Sequence, residues 1–243
     1  MNPPKSAVPQ APKTILVVDA GGSNIKLMRS GSTDRIKFIS GPKFTPRQMM
    51  AGIRKHAAGW QYDAVSLGLP TPIVADKPVR EPNNLGRGWV KFDYQAAFGK
   101  PVRVLNDAAM QALGSYEGGR MLFLGLGTGL GSAMILDHVL IPLELGELSY
   151  SPRHNFEDML GRDGRKRLGQ KRWEAALDRI VCILRTAFVT DYVIIGGGNA
   201  RRVEHLPEGT RLGDNRNATV GGLRLWGLGP ARADRSTQPF IIR

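Results

Sequence analysis

The residue best placed to do chemistry is Asp107, in the run VLNDAAMQALG, where a short apolar strand pattern ends and a helical one begins. In a parallel α/β arrangement that junction opens on a cleft, and a carboxylate there can take the proton of an attacking hydroxyl. The same junction favours a helix-capping aspartate, and spacing alone leaves the two readings level. Asn106, its neighbour, could hold a sugar hydroxyl. Glu144, in PLELGEL, follows another strand pattern and precedes Gly146. It reads either as an anchor accepting two hydroxyl protons or as a solvated loop glutamate.

Phosphoryl transfer to a hydroxyl needs more than a base: the moving phosphoryl group must be clamped electrostatically. Two glycine turns in equivalent places suit that task, DAGGSNIK (residues 19–26) and GLGTGLGS (residues 125–132), each lying between two apolar strand patterns. Glycine reaches positive φ without a Cβ clash, so successive amide N–H groups can converge on phosphate oxygens. Ser23 and Thr128 add hydroxyls, Lys26 fixed positive charge, and Asp19 could hold a hydrated Mg²⁺. Either turn alone reads as a hairpin; the matched pair suggests two half-structures sharing one phosphate chain. Neither turn fits a Walker A loop or a dinucleotide fingerprint, because each leads into a strand.

The chain has 243 residues, 34 Lys+Arg against 21 Asp+Glu, a net charge of +13 and a pI near 10.3. That field favours capture of a polyanion. Basic residues cluster at Arg162, Arg165, Lys166, Arg167, Lys171 and Arg172, and again at Arg201 and Arg202, as a solvated face or a track for a long anionic substrate. Nucleic acid is not expected, since no zinc-finger spacing, aromatic RNA-binding motif or helix-turn-helix pattern is present. The single cysteine, Cys182, excludes an internal disulfide and a multi-cysteine zinc site, and is expected to be buried on a helix. His56, His138, His154 and His205 lack ligand spacing. No apolar stretch approaches a membrane span, and the leader MNPPKSAVPQAPK lacks the apolar core of a signal peptide, so a cytoplasmic protein is expected.

The elements that must position these residues fall into two series. Residues 15–18, 25–28 and 36–39 predict a three-stranded meander. A helix follows, with Thr45 as N-cap, Pro46 first and Gln48 completing a capping box, then strands at 64–69 and 102–105 around a short helix at 93–98. The pattern restarts with a helix at 108–116 and strands at 121–124, 133–136 and 139–141. A loop-rich segment then leads to a helix at 173–188 carrying Ala176, Ile180, Ile183, Leu184 and Ala187 on its apolar side, a strand at 192–195, and a helix at 217–226. This predicts an α/β protein of two lobes with a central cleft: a disordered leader (1–13), an N-terminal lobe (14–105), a C-terminal lobe (106–226) and a loose tail (227–243).

The motifs DAGGSNIK, GLPTP, PNNLGRGW, LNDAAMQALG, LGTGLGSAM, LELGEL and IIGGGN, in that order, resemble those of the ROK family of sugar kinases, most closely its polyphosphate glucokinase branch. The resemblance runs from residue 15 to 226. It implies an actin-like ATPase fold of two ribonuclease-H-like lobes, often assembled as a homodimer. It also implies transfer of a phosphoryl group from polyphosphate or ATP, with Mg²⁺, to the 6-hydroxyl of glucose or a related hexose. Asp107 takes the role of general base; Asn84, Asn106 and Glu144 those of sugar contacts. Asp19, Gly21, Gly22 and Ser23 resemble the first phosphate loop, Gly127, Thr128 and Gly129 the second, and Gly196, Gly197 and Gly198 the turn facing the donor's far end.

Three positions depart from the family pattern. Its cysteine-rich zinc motif is absent, as in the polyphosphate-using branch. Thr71 replaces a glycine in GLPTP. Glu147 replaces the histidine of the family's ELGH, placing an acceptor-only carboxylate near the sugar, where it would repel Glu144. The alternative reading is therefore a non-catalytic or weakly active ROK-like protein that binds sugar or polyphosphate.

Overall fold

The computed structural model describes residues 12–214 and 216–227, with the backbone of 240–241. Most of the expected leader, and most of the expected tail, lie outside these described residues.

The first half begins with the expected meander: β1 (Ile15–Ala20), β2 (Asn24–Arg29) and β3 (Arg35–Ile39), antiparallel throughout. Every β1 residue is buried, while β3 exposes alternate residues at the sheet edge. A continuous apolar run suits a strand covered on both faces, and alternation one covered on a single face. Next comes α1 (Pro46–His56), closed by the reciprocal Thr45/Gln48 capping box. Then follow β4 (Ala64–Leu69), a small hairpin of β5 (Ile73–Val74) and β6 (Lys77–Pro78), α2 (Tyr94–Phe98) and β7 (Val102–Asn106). The sheet order is β3-β2-β1-β4-β7, with β4 and β7 parallel to β1 and its neighbour.

After α3 (Asp107–Ser115) the plan repeats with β8 (Arg120–Leu126), β9 (Leu130–Leu136) and β10 (Val139–Leu143). Asp137 and His138, at φ 45° and 69°, make the tight turn between β9 and β10. A small pair, β11 (Ser149–Ser151) and β12 (His154–Asn155), leads into α4 (Phe156–Leu160) and α5 (Arg162–Phe188). The chain then forms β13 (Tyr192–Gly196), β14 (Thr210–Leu212), α6 (Asn217–Arg224) and β15 (Phe240–Ile241). The order β14-β13-β8-β9-β10 matches β7-β4-β1-β2-β3 position by position, with β15 added at the β10 edge.

Two expectations need correction in α5. Its helix starts at Arg162, well before residue 173, and breaks at Gly169 (φ 72°). The polar, glycine-rich run GRDGRKRLG carries no apolar period to announce a helix. Its first turn is held by tertiary bonds, with the Arg162 N–H donating to the carbonyls of Gly127 and Thr128. Cys182 is exposed, contrary to expectation, as are Ile183 and Ala187. The buried stripe is Trp173, Ala176, Leu177, Ile180, Val181 and Leu184, and two residues beyond Ile180 is nearly the opposite side of a helix.

The two series are joined through α3 and α6. A Cβ on Gly114 would strike the Asn217 carbonyl, and one on Gly221 the Met110 carbonyl, so the two helices touch backbone to backbone. A Cβ on Gly222 would come within 2.5 Å of Val17 and 3.3 Å of Ser66 in the first sheet. Ser66 donates to the Gly222 carbonyl and accepts from Trp226 Nε1 at 2.9 Å. One core accordingly includes Ile15 and Val17 together with Met121, Phe123 and Ile135.

Candidate active site

Asn106 ends β7 and caps α3: its Oδ1 accepts from the N–H groups of Ala108 (2.9 Å) and Ala109 (3.1 Å). Capping is thus the task of Asn106, which leaves Asp107 in the first helical turn with one oxygen on the Ala108 N–H at 2.8 Å. The second amide end of Asn106 donates to the Thr71 carbonyl at 3.3 Å. Thr71 in turn is buried, and its hydroxyl donates to the Arg80 carbonyl at 2.9 Å. The Thr71 carbonyl therefore ties the Pro-rich loop to the strand end that presents Asp107, while the threonine hydroxyl braces the loop on Arg80.

Asp107 lines a cleft of about 860 Å³ whose walls come from both sheets. Its pKa is pushed up to about 7, first by burial and then by the Asp19 carboxylate, against the opposing pull of the Ala108 N–H and Lys26. Asp19, buried at the end of β1, pairs with Lys26 of β2 at 2.7 Å, and this partner holds the Lys26 ammonium above its usual range.

Gly21, Gly22 and Ser23 line the same cleft beside Asp19 and Lys26. The turn is closed by the Gly21 N–H on the Asn24 carbonyl (3.0 Å) and by Ser40 Oγ on the Gly21 carbonyl (2.6 Å). A Cβ on Gly22 would come within 2.7 Å of the Asn84 Cβ, so absence of a side chain lets the Asn84 loop sit against this turn. Across the cleft, Gly127, Thr128 and Gly129 form the second turn. Asn199 Nδ2 donates to the Gly127 carbonyl at 2.8 Å, and Arg162 donates to Thr128 Oγ1 at 3.0 Å, leaving the threonine proton to donate elsewhere. Gly197, at φ 82°, is packed against the Leu126 backbone and joins Gly198 in the lining. Gly196 differs from the other two: it is paired with Gly125 inside the sheet, against Phe123.

Asn84, Glu144 and Glu147 also line the cleft. Arg80 lies 3.5 Å from Glu144. The Glu144 carboxyl sits above its usual range, chiefly through burial, with Arg80 lowering it and the Glu147 and Glu157 carboxylates raising it. Sequence reasoning missed Arg80 and Glu157. Glu157 Oε2 accepts the Leu130 N–H at 3.0 Å beside the second glycine turn. The only local signal for it was the Asn155/Asp158 capping box that starts α4.

Among the described residues, no group of three or more His, Cys, Asp and Glu is gathered as a protein-only metal cage would require. The carboxylate of Asp19, at the cleft wall between the glycine turn and Lys26, fits the alternative, a hydrated Mg²⁺ shared between one carboxylate and bound phosphates.

A duplicated five-stranded plan, two glycine turns facing one cleft and a carboxylate at a strand end between them give an α/β protein with the actin-like ATPase fold, which ROK sugar kinases share. No protein-family model matches the sequence. The chain is similar to polyphosphate glucokinase of Mycobacterium tuberculosis (strain CDC 1551 / Oshkosh), with 27% identity over 208 residues, 77% of this chain and 78% of the relative. Among solved structures it is similar to the inorganic polyphosphate/ATP-glucomannokinase of Arthrobacter sp. strain KM, with TM-score 0.75 and 24% identity, covering 89% of this chain and 98% of the other. A ROK family glucokinase from Streptomyces griseus, solved with glucose and AMPPNP, follows the same course with TM-score 0.68 and 17% identity over 87% and 98% of the two chains. The resemblance read from the seven motifs stands: the chain is similar in sequence to polyphosphate glucokinases and in fold to ROK family kinases.

Proposed function

We propose that the protein transfers the terminal phosphoryl group of inorganic polyphosphate, and of ATP, to the 6-hydroxyl of glucose or a related hexose. The observation that carries this reading is the position of Asp107, at a strand end in the cleft shared by both glycine turns, with its pKa near 7. A base titrating there is ionised often enough to accept a proton near neutrality and basic enough to pull on it.

The hydroxyl oxygen attacks the terminal phosphorus while its proton passes to Asp107. The bond from that phosphorus to the bridging oxygen breaks, leaving a sugar phosphate and a donor shortened by one phosphate. The amides of Gly22 and Gly129, with the Ser23 and Thr128 hydroxyls, hold the phosphate oxygens, the N–H groups of Gly21 and Gly127 closing the two turns on the Asn24 and Gly129 carbonyls, and Lys26 supplies fixed charge. Asn84, Asn106, Glu144 and Glu147 position the sugar. Asp19 would hold Mg²⁺, which would neutralise phosphate charge. Two lobes, residues 14–105 and 106–226, close on the substrates. As in the resemblance, a homodimer is the proposed assembly, and the cytoplasm the proposed location; no helix among the described residues is long and apolar enough to cross a membrane.

The test is a matrix of donors against hexoses. Glucose phosphorylation with polyphosphate is expected, and its loss in Asp107→Asn by about 10²–10⁴-fold. Sugar binding by calorimetry without turnover on any donor would favour the non-catalytic alternative and overturn the kinase reading.

A further inference from the structure

The hairpin of β5 and β6 is fastened in a way that the transfer step itself does not require. Its arms pair Ile73 with Pro78 and Val74 with Lys77. Pairing continues past the strands: the Val79 N–H donates to the Pro72 carbonyl at 3.1 Å, and the Thr71 hydroxyl to the Arg80 carbonyl at 2.9 Å. Ala75 and Asp76, at φ 49° and 59°, make a two-residue turn of the left-handed kind that matches strand twist. Both ends of the hairpin are tied to β7, the edge strand of the first sheet. At the tip, Asp76 Oδ1 accepts the Val104 N–H at 2.8 Å; at the foot, Asn106 Nδ2 donates to the Thr71 carbonyl at 3.3 Å.

Arg80, at the foot, is what this clasp delivers to the cleft. It comes from the first half of the chain, and its guanidinium lies 3.5 Å from Glu144, which comes from the second. Both side chains are about half exposed, so the pair faces the open cleft. The adjacent Glu81 accepts the Trp89 N–H at 2.9 Å. Glu147 and Glu157 both raise the Glu144 pKa, and Arg80 is the cation that lowers it. A carboxylate crowded by others takes up a proton, and a protonated carboxyl loses part of its power to accept hydroxyl protons. An ammonium group on a sugar would relieve the same crowding by pairing with the carboxylates directly.

We propose that Arg80 is a specificity-determining residue of the sugar pocket. It neutralises Glu144 so that an uncharged hexose is accepted, and it repels a sugar that brings its own positive charge, such as a 2-amino-2-deoxyhexose. This role rests on the kinase reading above and deepens its acceptor side. With Arg80 in place an ammonium gains little, because the carboxylate it would pair with is already paired and a second cation stands beside it. Discrimination of this kind comes from a built-in repulsion as much as from an added attraction. Without Arg80, the carboxylates of Glu144, Glu147 and Glu157 make a pocket that favours a cation.

The experiment compares glucose with glucosamine, at a pH where the amine is protonated, in full-length wild type, R80Q and R80K. Calorimetry gives the affinity for each sugar, and kcat/KM with polyphosphate follows turnover. Wild type should bind glucose more tightly. In R80Q the ratio of glucose to glucosamine affinity is expected to fall by about tenfold, the effect of one neighbouring unit charge in a partly solvated site. R80K keeps the charge while giving up the planar fork, and should retain most of the wild-type ratio. A wild type that favours glucosamine, or a ratio unchanged in R80Q, would overturn the role given to Arg80. So would a ratio altered as much by R80K as by R80Q, because shape and not charge would then have been lost. Turnover separates the two claims. Glucose phosphorylation with an unaltered ratio in R80Q sinks the Arg80 proposal alone, and a shifted binding ratio without turnover on any donor sinks the kinase reading alone.

Discussion

Lys26 Nζ stands 2.7 Å from Asp19 Oδ2, across the register that pairs these two residues of β1 and β2. Asp107 feels both members: Asp19 raises its pKa and Lys26 lowers it. Replacing Lys26 by Met leaves the buried Asp19 carboxylate without its ammonium and removes the cation that favours ionised Asp107. The kcat/KM midpoint on the acid side should move upward from its wild-type value. Stability should fall by about 1–3 kcal/mol, less than a fully buried pair would cost because the lysine is partly solvated. A pH–rate profile and urea unfolding of K26M check both; a midpoint that moves down would contradict the electrostatics.

Asp107 itself titrates between the unfolded value of 3.8 and about 7 in the fold. Over that window the folded state binds more protons than the unfolded chain, so this group's contribution makes stability fall as pH rises. Asp107→Asn removes the ionisable group. The variant should therefore be more stable than wild type at pH 8, on the order of 1–3 kcal/mol, with little advantage at pH 4, while being nearly inactive. Melting curves at the two pH values decide; an advantage larger at pH 4 would reverse the assignment.

Glu147 lies in the cleft with Glu144 and raises its pKa. Glu147→His exchanges a repelling carboxylate for a ring that can donate to a hydroxyl. The glucose KM should fall by about 3- to 10-fold, the net worth of roughly one ordinary hydrogen bond. An unchanged KM would show that position 147 does not face the sugar.

The contact between α3 and α6 leaves no room for a methyl group at Gly221, because the Met110 carbonyl occupies that space. Gly221→Ala should cost about 3 kcal/mol in equilibrium unfolding, in spite of the better helix propensity of alanine. A neutral or stabilising effect would mean that the two helices are farther apart than described.

Cys182 is exposed and lines a groove of about 590 Å³ with Val189 and Pro207, sharing no residue with the catalytic cleft. A thiol reagent should modify it in the native protein within minutes and leave glucose phosphorylation intact. Protection until denaturant is added would restore the buried position expected from the sequence.

Much of this molecule was legible in its residues. Strands β1 and β4 announced themselves as short apolar runs, α1 by Thr45, Pro46 and Gln48, and the two cradles by glycines between strands. These are local rules, in which a turn or cap is determined by neighbours a few residues away. Asp107 was legible as a candidate base, level with a helix cap. Only the fold gave the capping task to Asn106, brought Asp19 and Lys26 alongside, and drew the other glycine turn across the cleft. The side chains that went unread, Arg80 and Glu157, have ordinary surroundings in sequence, and their meaning comes from partners on other elements. The misreading of Cys182 has the same origin: helical periodicity gives spacing around an axis, and only packing against a sheet decides which side faces water. The sequence by itself determined the strands, caps and glycine cradles, because backbone sterics act over a few bonds. The tertiary structure alone decided protonation, charge neighbours and what faces the cleft, because burial and Coulomb forces depend on distance through space.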